Sequence, residues 1–312
     1  MGAKFFAKEK IEARLLRLRE RLAPHRASLR RLALFAALCG FAAGLYWALT
    51  AVSGVWTRID YVPLAVLFVL GVPAMIVLNA AEFRAMVEAG SSNVSWRTAL
   101  EVTIYTTAAN MLPFPGGVVT RLGGMRARGI GMRLGSWLLL LFAGIWAGAG
   151  FLLSGSVVVT RNLPLGLVFL AAGVALLVLS LAGLRARETN NALLAKIMFI
   201  RLALLVVEMA RMVLAVRAFG ASLSLANSAV FAISSVVGTT VSLVPAGLGI
   251  REGVSALLSP IIGLDPAIGF LAATMMRVIG MAGLAALASV MLLLSGRARA
   301  MEAAQKDAAP LA

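Results

Sequence analysis

Two arginines, Arg121 and Arg251, stand at matching places in two nearly matching motifs. Pro115-Gly116-Gly117-Val118-Val119-Thr120-Arg121-Leu122-Gly123 lies over Pro245-Ala246-Gly247-Leu248-Gly249-Ile250-Arg251-Glu252-Gly253 at an offset of 130 residues. The shared pattern is P-[GA]-G-[VL]-x-x-R-x-G. Each arginine follows its proline by six residues, about 1.5 turns into a helix that starts at the Pro-Gly break. A guanidinium grips a phosphate through two parallel N–H donors, and a helix start adds free backbone N–H groups. The pair therefore has the chemistry of a receptor for a phosphate-sized anion, its backbone shaped by Pro115, Gly117, Pro245, Gly247 and Gly249. Equally open is an anchoring role in which each arginine snorkels to its own membrane surface. Glu252 has no acidic counterpart in the first motif, where Leu122 stands. It either neutralises Arg251, takes up a coupling proton, or forms a structural ion pair.

Further charges lie inside apolar runs. Arg201, Glu208 and Arg211 are spaced by seven and three, which puts them on one helical face. Charges within a span are costly and face a cavity or one another. Glu208 is expected to pair with Arg211, with Arg277 as the other candidate partner, in a structural network or along a substrate pathway. Glu101 and Asn110 belong to the same intramembrane polar set. One histidine (His25) and one cysteine (Cys39) cannot build a His/Cys metal centre. The chain has no G-x-x-x-x-G-K-[ST] stretch and no paired nucleophile and base, so neither cofactor nor enzyme activity is expected. Gly247-x-Gly249-x-x-x-Gly253 has the wrong spacing for a dinucleotide site, and Gly144, Gly148 and Gly150 are spaced for helix packing.

The elements that must hold these residues follow from composition. Of 312 residues 61% are hydrophobic and 13% charged, yet the formal net charge is +16. That excludes an ordinary soluble enzyme and a disordered basic chain, and leaves an all-α polytopic membrane protein. Runs long enough to cross a bilayer are Leu32–Val55, Val62–Phe83, Leu134–Ser156, Leu165–Leu184, Leu193–Val216 and Ala267–Ser295. Two more stretches, about 98–133 and 225–263, are apolar but broken midway by Pro and Gly, and read as re-entrant hairpins. Residues 1–31 carry ten Lys/Arg against three Glu, with Ile11, Leu15, Leu18 and Leu22 at helical spacing. They are expected to form an amphipathic helix on an anionic membrane surface, or a solvated arm that only sets orientation. More than 30 residues precede the first run, so that run is expected to be an uncleaved anchor. Residues 32–297 then form one membrane domain and 298–312 a tail.

Charge fixes the orientation. Lys and Arg gather in short cytoplasmic loops. With both termini inside, Arg121, Arg126, Arg128 and Arg133 stay cytoplasmic only if the first broken segment enters and returns. The unit of span, hairpin and span then begins on opposite sides in its two copies, about 62–165 and 192–295. Such an inverted repeat with broken helices is the architecture of secondary transporters. Gly90 lies over Gly220 in this register, and the two are expected on opposite sides.

The run Leu243-Val244-Pro245-Ala246-Gly247-Leu248-Gly249-Ile250-Arg251-Glu252 resembles the signature of the lysylphosphatidylglycerol synthase transmembrane-region family. Leu112-Pro113-Phe114-Pro115-Gly116-Gly117 is similar to its N-terminal counterpart. The resemblance covers about residues 30–297, with Ala246 in place of the commoner Gly and Val119-Thr120 in place of a more polar pair. It implies a flippase-like module of the bacterial inner membrane, with Pro245, Gly247, Gly249 and Glu252 on motif positions. The aminoacyltransferase part of bifunctional members has no counterpart in these residues, so synthase activity is not carried over. The expected function is movement of a phospholipid or related amphiphile between leaflets, its anionic or phosphate-bearing head group held by Arg121 and Arg251. The alternative is a non-transporting accessory subunit whose partner is a lipid- or glycolipid-modifying enzyme. No nucleic-acid partner is expected.

Overall fold

The computed structural model describes residues 26–52, 54, 59–110, 116–240 and 247–307, which are helical and contain no strand. The helices are α1 (Arg26–Ala51), α2 (Tyr61–Ala89), α3 (Trp96–Ala109), α4 (Gly116–Arg126), α5 (Met132–Val158) and α6 (Leu163–Arg185). They continue with α7 (Asn191–Ala218), α8 (Leu225–Ser228), α9 (Ala232–Thr240), α10 (Ile250–Leu258) and α11 (Pro266–Asp307). Five of them are long and apolar enough to cross a bilayer: α1 over Leu34–Ala51, α2, α5, α6, and α11 over Pro266–Met291. The chain is therefore a multi-pass, all-α membrane protein by length and composition.

The sixth expected span is α7. At 28 residues it is long enough, about 42 Å, but its charges keep it out of the apolar class. Its faces are nonetheless sorted as a membrane helix requires. Phe199, Leu202 and Val206 are exposed on one side, while Arg201 and Arg211 are buried. The apolar side suits lipid, and the charges turn inward.

α2 is helical throughout but widens at Leu67–Gly71 into one π turn. The cause is Pro73, which has no N–H to give to the turn before it. The N–H of Val72 reaches back five residues to the Leu67 carbonyl, and the helix continues. The α5–α6 pair is a tight antiparallel hairpin built on small residues. Gly148 meets Gly173 and Leu177, Gly155 meets Leu170, and Gly144 meets Ser180. A Cβ on Gly148 would lie 2.9 Å from the Leu177 nitrogen, so the backbones can approach only because the residue is glycine. Gly150 faces Val236 of α9 instead. Gly144, Gly148 and Gly150 thus all sit in helix contacts.

Two helical hairpins pack beside the α2–α7 pair. α2 and α7 run antiparallel: the Asp60 N–H donates to the Ala218 carbonyl at one end (2.9 Å), and Lys196 pairs with Glu88 at the other. The first hairpin, α3 and α4, both leaves and returns at the Glu88 end. Arg84 Nε donates to the Val94 carbonyl before it, and the Ser92 hydroxyl donates to the Arg128 carbonyl after it. The second, α8–α9 with α10, leaves and returns at the Ala218 end. Leu223 and Leu264 share one apolar cluster there, and Phe219 packs against Ala267, Phe270 and Leu271.

The expected amphipathic helix over 1–31 lies outside the described residues except for residues 26–31, which open α1. The expected tail, residues 298–312, continues the α11 helix as far as Asp307. Both tip prolines, Pro115 and Pro245, also lie outside the described residues.

Candidate functional site

Each hairpin carries its arginine to a carboxylate on the first long helix of its own unit, buried in the first unit and partly buried in the second. In the first unit that carboxylate is Glu82 of α2, 2% exposed. Arg121 Nη1 of α4 stands 3.6 Å from it, and Arg201 of α7 makes a direct ion pair with its other oxygen. Arg121 also donates to Asn79 Oδ1 (3.4 Å), one turn earlier on α2. Arg201 donates to the Phe142 carbonyl (2.9 Å) and lies over the Phe142 ring. In the second unit the carboxylate is Glu208 of α7. It pairs with Arg251 of α10 and with Arg211 one turn along α7 (3.1 Å), and it accepts the Ser235 hydroxyl of α9 (2.9 Å). Arg211 donates further to the Met276 carbonyl of α11 (3.4 Å).

The result is two Arg–Glu–Arg triads, Arg121–Glu82–Arg201 and Arg251–Glu208–Arg211. Each holds two positive charges against one negative, so each keeps one positive charge uncompensated among the described residues. Arg201 Nε, Arg211 Nε and Arg251 Nε are buried with no hydrogen-bond partner among the described residues. Both triads share α7, about 10 Å apart along its axis from Arg201 to Glu208.

Glu252 does not neutralise Arg251. It is fully buried, and its Oε1 receives Arg277 Nε from α11 at 2.7 Å while its Oε2 accepts the Gly249 N–H at 2.8 Å. Arg277 reaches on to the Gly247 carbonyl (3.3 Å). These bonds fix the turn into α10, where Gly247 (φ +65°) and Gly249 (φ +80°) need the left-handed region. Arg277 therefore serves Glu252 rather than the Glu208–Arg211 pair. In the first hairpin Asn110 has the corresponding duty: its Oδ1 accepts the Gly117 N–H at 3.1 Å, closing the tip. Glu101 stands outside any internal network, since it pairs with Arg97 one turn away on an exposed face.

Sequence reasoning missed Glu82, Asn79 and Ser235. Glu82 is visible as the single acid in the last turns of the second apolar run. Its place 39 residues before Arg121 mirrors Glu208, 43 before Arg251, one turn apart in register. Beside the second triad a cavity of about 10 Å³ is lined by Glu208, Arg251, Ser228, Ser234 and Ser255. That is room for about one water and not for a phosphate group. In this conformation each hairpin arginine is held by its own carboxylate. No family model matches the chain, and neither a curated protein nor a solved structure matches it.

Proposed function

We propose that this protein moves an amphiphile with an anionic, phosphate-like head group between membrane leaflets, as a stand-alone relative of the lysylphosphatidylglycerol synthase transmembrane-region family. On this reading α7 is a sixth span, the two hairpins are re-entrant, and the two units form an inverted repeat. One observation carries it. Two hairpins open toward opposite ends of the α2–α7 pair, and each delivers an arginine to a buried triad with one spare positive charge. A buried cation without its full counter-charge is expensive, and an anion arriving from either side relieves it. Glu82 and Glu208 hold the arginines between substrates, and a head group takes their place when the hairpin loosens. Phosphate is matched by the two-donor fork of arginine in a way that lysine cannot copy.

Fluorescent phosphatidylglycerol in proteoliposomes tests this directly. The wild-type chain is expected to speed exchange between leaflets. Arg121→Lys/Arg251→Lys keeps the charge against both carboxylates but loses the fork, and should slow exchange roughly tenfold per arginine. Unchanged exchange in that variant would sink the mechanism. It would turn attention to the accessory-subunit reading, for which a co-purifying lipid-modifying enzyme is the sign.

The topology has its own measurement. Single cysteines at Asn93 and Ser222, in a Cys39→Ala background, stand at opposite ends of the α2–α7 pair. An impermeant maleimide added to intact cells should label Ser222→Cys and spare Asn93→Cys until the membrane is opened. Equal labelling of both from one side would end the inverted-repeat reading.

A further inference from the structure

A second feature for lipid lies on the outside of the bundle, away from both triads. An open cleft of about 800 Å³ runs along the start of α5 beside the end of α6, lined by Arg133, Leu134, Ser136, Trp137, Leu140 and Arg187. Its lower wall is apolar and faces outward: Trp137 is 46% exposed and Leu140 61%. Both belong to α5, one of the five helices apolar enough to span, so this wall meets acyl chains rather than water. Its upper rim holds two exposed guanidinium groups. Neither Arg133 nor Arg187 has an ion-pair partner among the described residues, so both are open to an anion. Ser136 adds a hydroxyl at the same level, and Trp137 suits the interface between chain and head group. The cleft lies at the Glu88 end, where Ile130 packs on Gly90 and Arg126, Arg128 and Arg185 also gather.

We infer that this cleft is a binding site for one anionic phospholipid of the surrounding leaflet, its phosphodiester between Arg133 and Arg187 and an acyl chain against Trp137 and Leu140. The cleft is open along one side, as suits a lipid lying against the bundle rather than a ligand enclosed by it. A free phosphate would use the rim and leave the apolar wall uncovered, so the occupant is a lipid and not an ion. The inference needs only that α5 and α6 span the membrane. It does not depend on transport by the hairpins.

The test is native mass spectrometry of the protein released from nanodiscs of phosphatidylcholine and phosphatidylglycerol at 3:1. The wild-type chain is expected to keep one phosphatidylglycerol that survives dilution into neutral detergent. Arg133→Ala/Arg187→Ala should weaken retention about fivefold per arginine removed, from the usual interfacial contribution of each cation. Trp137→Ala should weaken it too, which a purely ionic contact would not. Arg126→Ala/Arg185→Ala removes the same charge at the same end but outside the cleft, and should leave retention unchanged. Equal losses in the two double variants would overturn the site in favour of diffuse attraction. Displacement of the lipid by millimolar inorganic phosphate alone, with Trp137→Ala unaffected, would overturn the lipid in favour of a phosphate site. Arg121→Lys/Arg251→Lys should retain the lipid fully. Failure of transport and failure of this site are thereby separate results.

Discussion

Glu82→Ala is expected to lower the stability of the folded protein by about 3–5 kcal/mol. Among the described residues Glu82 is the one acid paired with both Arg121 and Arg201, and it is 2% exposed. Its removal leaves two guanidinium groups in the bundle with no counter-charge, and desolvating an unpaired cation is among the costliest things a membrane protein can do. In a chain of this size the loss corresponds to a fall in the thermal midpoint of about 10 °C in mild detergent. A midpoint within a degree or two of wild type would show that Glu82 is not the counter-ion of this pair. The compensated variant Glu82→Leu/Arg121→Met/Arg201→Leu removes all three charges together and should regain most of the lost stability, because a packed apolar trio of similar volume replaces a buried ionic one at little net cost. That variant also separates structure from function. If it folds and still exchanges lipid, the first triad only holds the hairpin in place. If it folds and exchanges nothing, the spare positive charge is what the head group needs.

The spans were readable because a bilayer demands about twenty apolar residues in a row, a purely local signal. Pro and Gly interrupting two further apolar runs are a local signal of the same kind, and the structure has separate helices on either side of each interruption. Glu82 was not readable in that way. It lies within two turns of Arg84 and Glu88, in the cluster of charges that ends α2, and nothing local sets it apart from them. Its real partners are 39 and 119 residues away, on two different helices. Glu252 forms the structural ion pair that was one of its open roles, but its partner, Arg277, was not legible. Adjacency suggested Arg251, but neighbours in a helix point about 100° apart, so Glu252 turns to α11 while Arg251 turns to α7. Pairing of Glu208 with Arg211, three residues along one helix, was local and was legible.

The two triads belong to one helix, and this gives α7 a role that neither motif announces. Arg201 closes the first triad and Glu208 with Arg211 closes the second, while its outer face carries Phe199 and Val206. A change at one triad that shifts α7 along or about its axis is felt at the other. The Arg211 side chain lies against Gly71, in the π turn of α2, where a Cβ would come within 3.0 Å of it. Gly71, without a Cβ, thus makes room for the arginine that completes the second triad.

Gly247→Ala is expected to destabilise the second hairpin by about 3 kcal/mol, whereas Gly253→Ala, six residues on, should stabilise it by about 0.5–1 kcal/mol. Both glycines belong to the repeated motif, and both look equally fixed in the sequence. Their surroundings differ. Gly247 has φ +65°, and a Cβ there would lie 2.0 Å from the Gly238 carbonyl oxygen, a backbone atom that cannot step aside. Gly253 is inside α10 with nothing within 4 Å of its would-be Cβ, so alanine there costs no contact and removes freedom from the unfolded chain. The first motif provides the matched pair. A Cβ on Gly117 would also lie 2.0 Å from an oxygen, but that atom is Asn110 Oδ1 at the end of a side chain. Gly117→Ala should therefore cost about 1 kcal/mol, the hydrogen bond that Asn110 gives up as it turns away. Gly123, with open space around it, should behave like Gly253. Thermal midpoints of the four single variants give the order Gly247 lowest, Gly117 next, and Gly123 and Gly253 at or above wild type. A Gly253→Ala loss as large as that of Gly247→Ala would mean that the last glycine of the motif faces another surface in a second conformation. That would be the signature of a hairpin that moves.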